Sequence, residues 1–317
     1  MKTTRTQDLT AAALVGALAA IALLGVAAPA QAQERGQYLP GFRGLNAGVQ
    51  PPPGFTYANY FFWYPSTTFK NREGDKAPIN FDLDLIADMN LIAYTTKHKF
   101  LGATYGMAVA VPIVSTAVSL PRLGTGISPW GIGDIYVEPI NLGWILAQGN
   151  GNVYLAYGFV APTGRFDSSG SDTTTTDYWG HDVTLAATRN LGQKKLWQIS
   201  LSSLWEFHQN KRHEDVRVGH NVTLEYGVGK TWVHNQGQQL VQFGAAGYAE
   251  FQLTDDSGAD VVPLNQGAND RVFALGPELG VIWPAKKFNF LVRVLPEFGA
   301  RSRTSGFTIV AAIGKSF

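Results

Sequence analysis

Residues 289–301 read Asn289-Phe290-Leu291-Val292-Arg293-Val294-Leu295-Pro296-Glu297-Phe298-Gly299-Ala300-Arg301. Even positions carry Phe290, Val292, Val294, Pro296, Phe298 and Ala300, while the odd positions include Arg293, Glu297 and Arg301. A period of two places the two sets on opposite faces of an extended strand, one apolar and one charged. The same alternation governs residues 80–91, where Phe81, Leu83, Leu85, Ala87, Met89 and Leu91 face away from Asn80, Asp82, Asp84, Asp88 and Asn90. It returns in 197–208, which sets Trp197, Ile199, Leu201, Trp205 and Phe207 against Gln198, Ser200, Ser202, Glu206 and His208.

Working outward from these stretches, strand-like segments fall at 55–64, 79–96, 100–118, 131–146, 152–164, 180–191, 196–209, 217–233, 238–255, 271–284, 288–302 and 306–317. About twelve strands make an even number, as single-chain bacterial barrels require. Connections alternate in length, with short ones at 97–99, 148–151, 192–195, 235–237 and 285–287. Longer polar ones lie between them at 65–78, 119–130, 165–179, 210–216 and 256–270. Short periplasmic turns and long external loops give that alternation in a transmembrane barrel, and a soluble sandwich has no reason to keep it. In a bilayer every backbone group must be paired, so the sheet has to close. The expected fold is therefore an all-β, antiparallel barrel over 55–317.

Composition agrees. Charged residues make up 15% of the chain, below the roughly 25% of soluble domains. Lys and Arg number 25 against 24 Asp and Glu, so no basic face suggests nucleic acid as a partner. Cysteine is absent, which removes disulfides, thiolate metal sites and a thiol nucleophile.

At the N-terminus Lys2 and Arg5 precede an apolar run over 11–28, and Ala30-Gln31-Ala32 offers a small-x-small cleavage pattern. The expectation is a signal peptide over 1–32, cleaved after Ala32, and export to the bacterial outer membrane. An uncleaved anchor is the alternative, with an apolar run short for a span of about 20 residues. Residues 33–54, rich in Gly and Pro and ending in Pro51-Pro52-Pro53-Gly54, form either a periplasmic tail or a segment tucked into the lumen. The last strand ends in Phe317, with Phe307, Ile309, Ala311 and Ile313 on its face, like the terminal signature read by the outer-membrane assembly machinery. Lys315 on that face is expected to snorkel.

Gly131-Ile132-Gly133-Asp134 followed by Pro139 resembles the family of the meta pathway of phenol degradation, whose members are predicted outer-membrane barrels. The resemblance continues through Tyr157-Gly158, Ala161-Pro162-Thr163-Gly164, Leu224-Glu225-Tyr226-Gly227-Val228-Gly229-Lys230, Gly247-Tyr248, Leu275-Gly276-Pro277-Glu278 and Glu297-Phe298-Gly299-Ala300. These blocks span most of the mature chain. The resemblance implies a channel or transporter for small, hydrophobic or aromatic compounds, without making the chain an enzyme of phenol breakdown.

Assigning each strand's less apolar face to the lumen collects Asp82, Asp84, Asp88, Asp134, Glu138, Glu206, Glu225, Glu250, Glu278 and Glu297 against Arg293 and Arg301. An acidic lining favours cations and neutral polar solutes over anions. Alternatively these carboxylates pair with Arg and with the N-terminal segment to stiffen a closed lumen. Asp134 and Glu138, four apart, suit structural roles better than acid and base chemistry. The six His residues form no ligand set, and Asp255-Asp256-Ser257-Gly258-Ala259-Asp260 lacks the spacing of a recognised calcium loop. No cofactor or metal is expected. Trp63, Trp130, Trp179, Trp197, Trp205, Trp232 and Trp283 suit two interfacial girdles. The competing functions are a filled structural or adhesive barrel and an outer-membrane lipid hydrolase, the latter lacking a Ser/His/acid constellation.

Overall fold

The computed structural model describes residues 36–80, 82–120, 124–146, 149–168, 170, 172–261 and 267–317. The expected signal peptide and its cleavage site lie outside the described residues. Twelve antiparallel strands close on themselves: β1 (Gly54–Ser66), β2 (Asp82–Phe100), β3 (Ala103–Leu120), β4 (in two parts, Gly124–Ile132 and Ile135–Ile145), β5 (Gly151–Ala161), β6 (Gly180–Leu191), β7 (Trp197–His208), β8 (Asn221–His234), β9 (Gln239–Gln252), β10 (Arg271–Trp283), β11 (Phe288–Arg301) and β12 (Phe307–Ser316). Each pairs with its sequence neighbours, and β1 closes the ring on β12 through Thr56↔Ser316 to Trp63↔Ile309. Closure leaves no exposed sheet edge to satisfy in lipid. Among the described residues no helix is long and apolar enough to cross a membrane.

Two departures from the expected strands have local causes. Residues 124–130, expected within a loop, extend β4 as part of a stretch, 124–132, that pairs with 113–120. The ladder breaks at Gly133-Asp134, where Gly133 N–H donates to Pro112 O at 2.9 Å. The short turn expected at 97–99 moves to Leu101-Gly102, both with positive φ.

Burial identifies the two faces. On β1, Thr56, Ala58, Phe62 and Tyr64 point inward and are buried, whereas Phe55, Tyr57 and Phe61 are exposed outward. On β12, Val310 and Ala312 point inward and Ile313 and Phe317 outward. Lys315 lies on that outer face, its Nζ donating to Lys286 O beside the Phe317 ring. Near the short-turn end Trp197, Trp232 and Trp283 look outward, with Lys230 Nζ 5.4 and 5.3 Å from the Trp197 and Trp232 rings. Trp63, Trp130, Trp179 and Trp205 stand nearer the long-loop end. Two aromatic belts of this kind place ring bodies in hydrocarbon and polar tips at headgroups.

Candidate functional site in the plugged lumen

Residues 36–50 run through the lumen from its long-loop half to its short-turn end before joining β1. The segment is bound mainly by its backbone. Glu206 accepts from Gln37 N and Tyr38 N at 2.8 and 2.9 Å. Glu225 accepts from the backbone N–H groups of Gly41, Phe42, Arg43 and Gly44 at 2.8–3.3 Å, and from the Tyr38 hydroxyl. Positive φ at Gly41 and Gly44 curls the chain so that consecutive N–H groups converge on one carboxylate, an anion-binding nest. Glu278 accepts from Leu45 N at 3.0 Å and from Arg293 Nε at 2.8 Å. Arg293 in turn donates to Gly41 O and Arg43 O. Lower down, Gly48 N donates to Thr188 Oγ1 at 3.0 Å and Gln50 Nε2 to Asn141 Oδ1 at 2.6 Å.

Charge-assisted hydrogen bonds of this kind are roughly twice as strong as neutral ones, and here they are shielded from water. Glu225, Glu278 and Arg293 are each at most 2% exposed. A buried carboxylate without these donors would be strongly penalised, so plug and acidic wall satisfy each other.

The opposite wall is apolar. Phe62, Ala87 and Val310 form a buried cluster packed by Leu85, Met89 and Val114 from the barrel and by Leu39 and Phe42 from the plug. Phe42 stacks on Tyr60 with centroids 4.2 Å apart. A cavity of about 50 Å³ remains between Leu39, Pro40, Phe62 and Leu85, with Tyr64, Tyr248, Glu297 and Arg303 at its polar end. At the short-turn side a vestibule of about 330 Å³ opens below Asn46 and Val49, lined by Thr188, Gln198 and Gln242.

The expected lumen residues divide. Glu138, Glu206, Glu225, Glu250, Glu278, Arg293 and Glu297 point inward, and Asp134 lies at the inner rim, accepting from Gly164 N, Thr176 N and Thr176 Oγ1 to hold the 162–179 loop. Glu138 accepts from Tyr154 OH and Asn141 Nδ2. Glu250 pairs with Arg303 at 3.0 Å, and Glu297 accepts from Tyr64 OH, Tyr248 OH and Gly306 N.

Asp82, Asp84 and Asp88 are corrections: they point outward. Leu83 and Ala87 are the buried neighbours, Trp63 Nε1 donates to Asp84, and Asn59 Nδ2 donates to Asp88, all on the outer surface. Alternation separates two faces without saying which is inside, and here the apolar plug claims the apolar face. Arg301 also points outward. A bulge at Gly299, φ +62, inserts one residue and reverses the parity that Arg293 and Glu297 share.

Sequence reasoning missed Tyr38, Arg43, Tyr154, Asp182 and Arg303 as lumen groups. Arg43 lies 4.5 Å over the Tyr154 ring, and Asp182 is buried beside Tyr136 OH. No local pattern marks them, since strand pairing and threading of the plug bring them together. In the loops, Asp256 accepts from Gly219 N and Gln252 Nε2, and Asp260 accepts from Asp215 N, so those oxygens brace the loops. Burial pushes the Asp256 carboxyl above its usual pKa.

The fold resembles the COG4313 outer membrane channel from Pseudomonas putida F1, at 13% identity and TM-score 0.67, covering 89% of this chain and 100% of that one. It also resembles the β domain of the Bordetella autotransporter Brka (13%, TM-score 0.54, 84% and 100%). The transport unit of the autotransporter AIDA-I from Escherichia coli is similar as well (12%, TM-score 0.52, 94% and 97%). At these identities the likeness establishes the outer-membrane barrel fold. No curated protein matches the sequence. A family model covers residues 66–313, most of the barrel, and the chain therefore belongs to the family described as "Putative MetA-pathway of phenol degradation".

Proposed function

We propose that the protein is a gated outer-membrane channel admitting small hydrophobic or aromatic molecules, with residues 36–50 as the gate. One observation carries the reading: the lumen has two chemistries, a carboxylate wall that holds the plug by its backbone and an apolar wall that meets Leu39 and Phe42. A solute following the apolar wall meets carbon rather than charge. In the closed state an aromatic ring has no room, because the cavity there measures about 50 Å³, a third of the roughly 150 Å³ of an engineered apolar cavity that takes up benzene. Passage therefore requires the plug to shift. While closed, Glu206, Glu225 and Glu278 serve the plug. Once it moves, they line an acidic path that disfavours anions. The reading includes export by the leader over 1–32 with cleavage after Ala32, assembly through Phe317, and transport without catalysis. The family's description, phenol degradation, points to the same solute class.

The filled lumen itself favours a second reading, a structural barrel that never opens. Planar-bilayer conductance and liposome uptake of phenol and glucose separate the two. Deleting residues 36–50 is expected to raise conductance at least tenfold, with the full-length protein passing phenol in preference to glucose. A deletion variant that folds yet conducts no more than the full-length protein supports the filled barrel and ends the channel reading.

A further inference from the structure

The outer surface carries a second constellation, independent of the lumen. Arg271 begins β10 and Arg301 ends β11, and the two are directly opposed in register. Both face outward at the long-loop end. Val272 and Ala274 are the buried partners of Arg271 on β10, and the Gly299 bulge sends Ala300 inward and Arg301 out. Opposed side chains on paired strands stand roughly 5 Å apart at Cβ, so like charges there repel.

Among the described residues no ion pair offsets that repulsion. Neither guanidinium has a carboxylate partner among the described residues, and Arg271 Nε is buried without an acceptor. Glu73 and Asp75, on the loop whose Gly74 approaches Arg301, form no ion pair with it. The contrast with the inward arginines of the same wall is complete. Arg293 pairs with Glu278 at 2.8 Å and Arg303 with Glu250 at 3.0 Å.

Directly below lies an outward aromatic cluster. Phe273 stacks on Phe298 at 5.9 Å and meets Phe251 edge-on at 5.6 Å, while the Arg271 guanidinium sits 5.9 Å from the Phe273 centroid. Phe251 is also the register partner of Arg271 on β9. Two unpaired arginines above a patch of rings match an amphiphile whose anionic head sits at the interface and whose chains lie against the barrel. Guanidinium forks bind phosphate oxygens in a bidentate way and are weakly hydrated, which suits a site at the hydrocarbon boundary.

We propose that Arg271 and Arg301 form an outward-facing site for the phosphate groups of a lipid headgroup in the outer leaflet, with Phe251, Phe273 and Phe298 seating its acyl chains. The bulge at Gly299 is the device that aims the second arginine. A Cβ there would come within 2.9 Å of the Phe273 ring, so the bulge and the ring cluster are built as one unit.

The test uses the full-length protein in nanodiscs of phosphatidylethanolamine containing a small fraction of diphosphoryl lipid A, with retained lipid counted by native mass spectrometry. The wild type is expected to retain diphosphoryl lipid A, monophosphoryl lipid A less, and to keep it against millimolar inorganic phosphate. R271Q/R301Q should reduce retention about tenfold, R271K/R301K should restore part of it, and K230Q at the opposite rim should leave it unchanged. Heat-modifiable migration on gels reports folding of each variant. Equal retention by folded R271Q/R301Q, or complete displacement by inorganic phosphate, overturns the proposal.

Discussion

The wall made by β7–β11 and the wall made by β1–β3 enclose the same plug with opposite chemistry. On the first, Glu206, Glu225, Glu278 and Arg293 face inward and bind backbone, while Leu201, Leu275 and Leu279 face lipid. On the second, Phe62, Leu85 and Ala87 face inward against Leu39 and Phe42, while Asn59, Asp84 and Asp88 look out. The rule that a membrane barrel is apolar outside and polar inside holds for the first wall; on the second the inner face is apolar as well, and polar residues such as Asp84 and Asp88 interrupt an outer face that still carries Phe55, Phe61, Ile92 and Val109. What decides is the partner each inner face meets. A curled backbone needs acceptors, and the rings and aliphatic groups of the plug need carbon.

The comparison breaks most visibly at Glu225. Glu225→Ala leaves four backbone donors and the Tyr38 hydroxyl without their acceptor, and each buried orphan costs about 1–3 kcal/mol. The plug is expected to leave, raising single-channel conductance by an order of magnitude or more in planar bilayers. Unchanged conductance in the folded variant would mean the carboxylate wall does not hold the gate. A smaller effect belongs to the apolar wall. Phe42→Ala removes the stack on Tyr60, and for a half-buried ring the loss is about 1–2 kcal/mol, below the roughly 3–5 of a fully buried one. More frequent brief openings should appear in current traces, and a rise equal to that of Glu225→Ala would show the walls to be equivalent. The smallest effect lies outside. Asp88→Asn should leave conductance and reversal potential unchanged and shift urea-unfolding stability by no more than about 1 kcal/mol, since carboxylates on a lipid face cost less than the ~2–4 kcal/mol of Lys or Arg at the midplane. A changed cation preference would return Asp88 to the lumen.

Most strand positions were legible because turn chemistry and a period of two survive in the linear chain, as in 180–191 and 271–283. The orientation of faces was legible only where inside and outside differ in the usual sense, as for Glu225, Glu278 and the outward set ending in Phe317. It failed for Asp82, Asp84 and Asp88 because the partner of that wall is a distant piece of chain. It failed for Arg301 because one extra residue at Gly299 resets the count, and no local signal distinguishes that glycine from the others. The sequence alone leaves the plug between tail and lumen because its bonds to the barrel reach across 54 to 252 residues of sequence.

The attachment of the plug to the wall also governs where it can go. Residues 51–53 are three prolines, a stiff spacer of roughly 9 Å at 3.1 Å per residue, and they end at Gly54, whose φ of +121 makes it the pivot. Such a leash is too short and too rigid to pay out slack, so a released segment swings about Gly54 as a hinged arm. Gly54 sits at the short-turn rim beside the seam, where Phe317 N donates to Phe55 O at 2.8 Å. Such an arm stays tethered at the short-turn rim, and any tug on it loads the junction between the first and last strands before it loads any other.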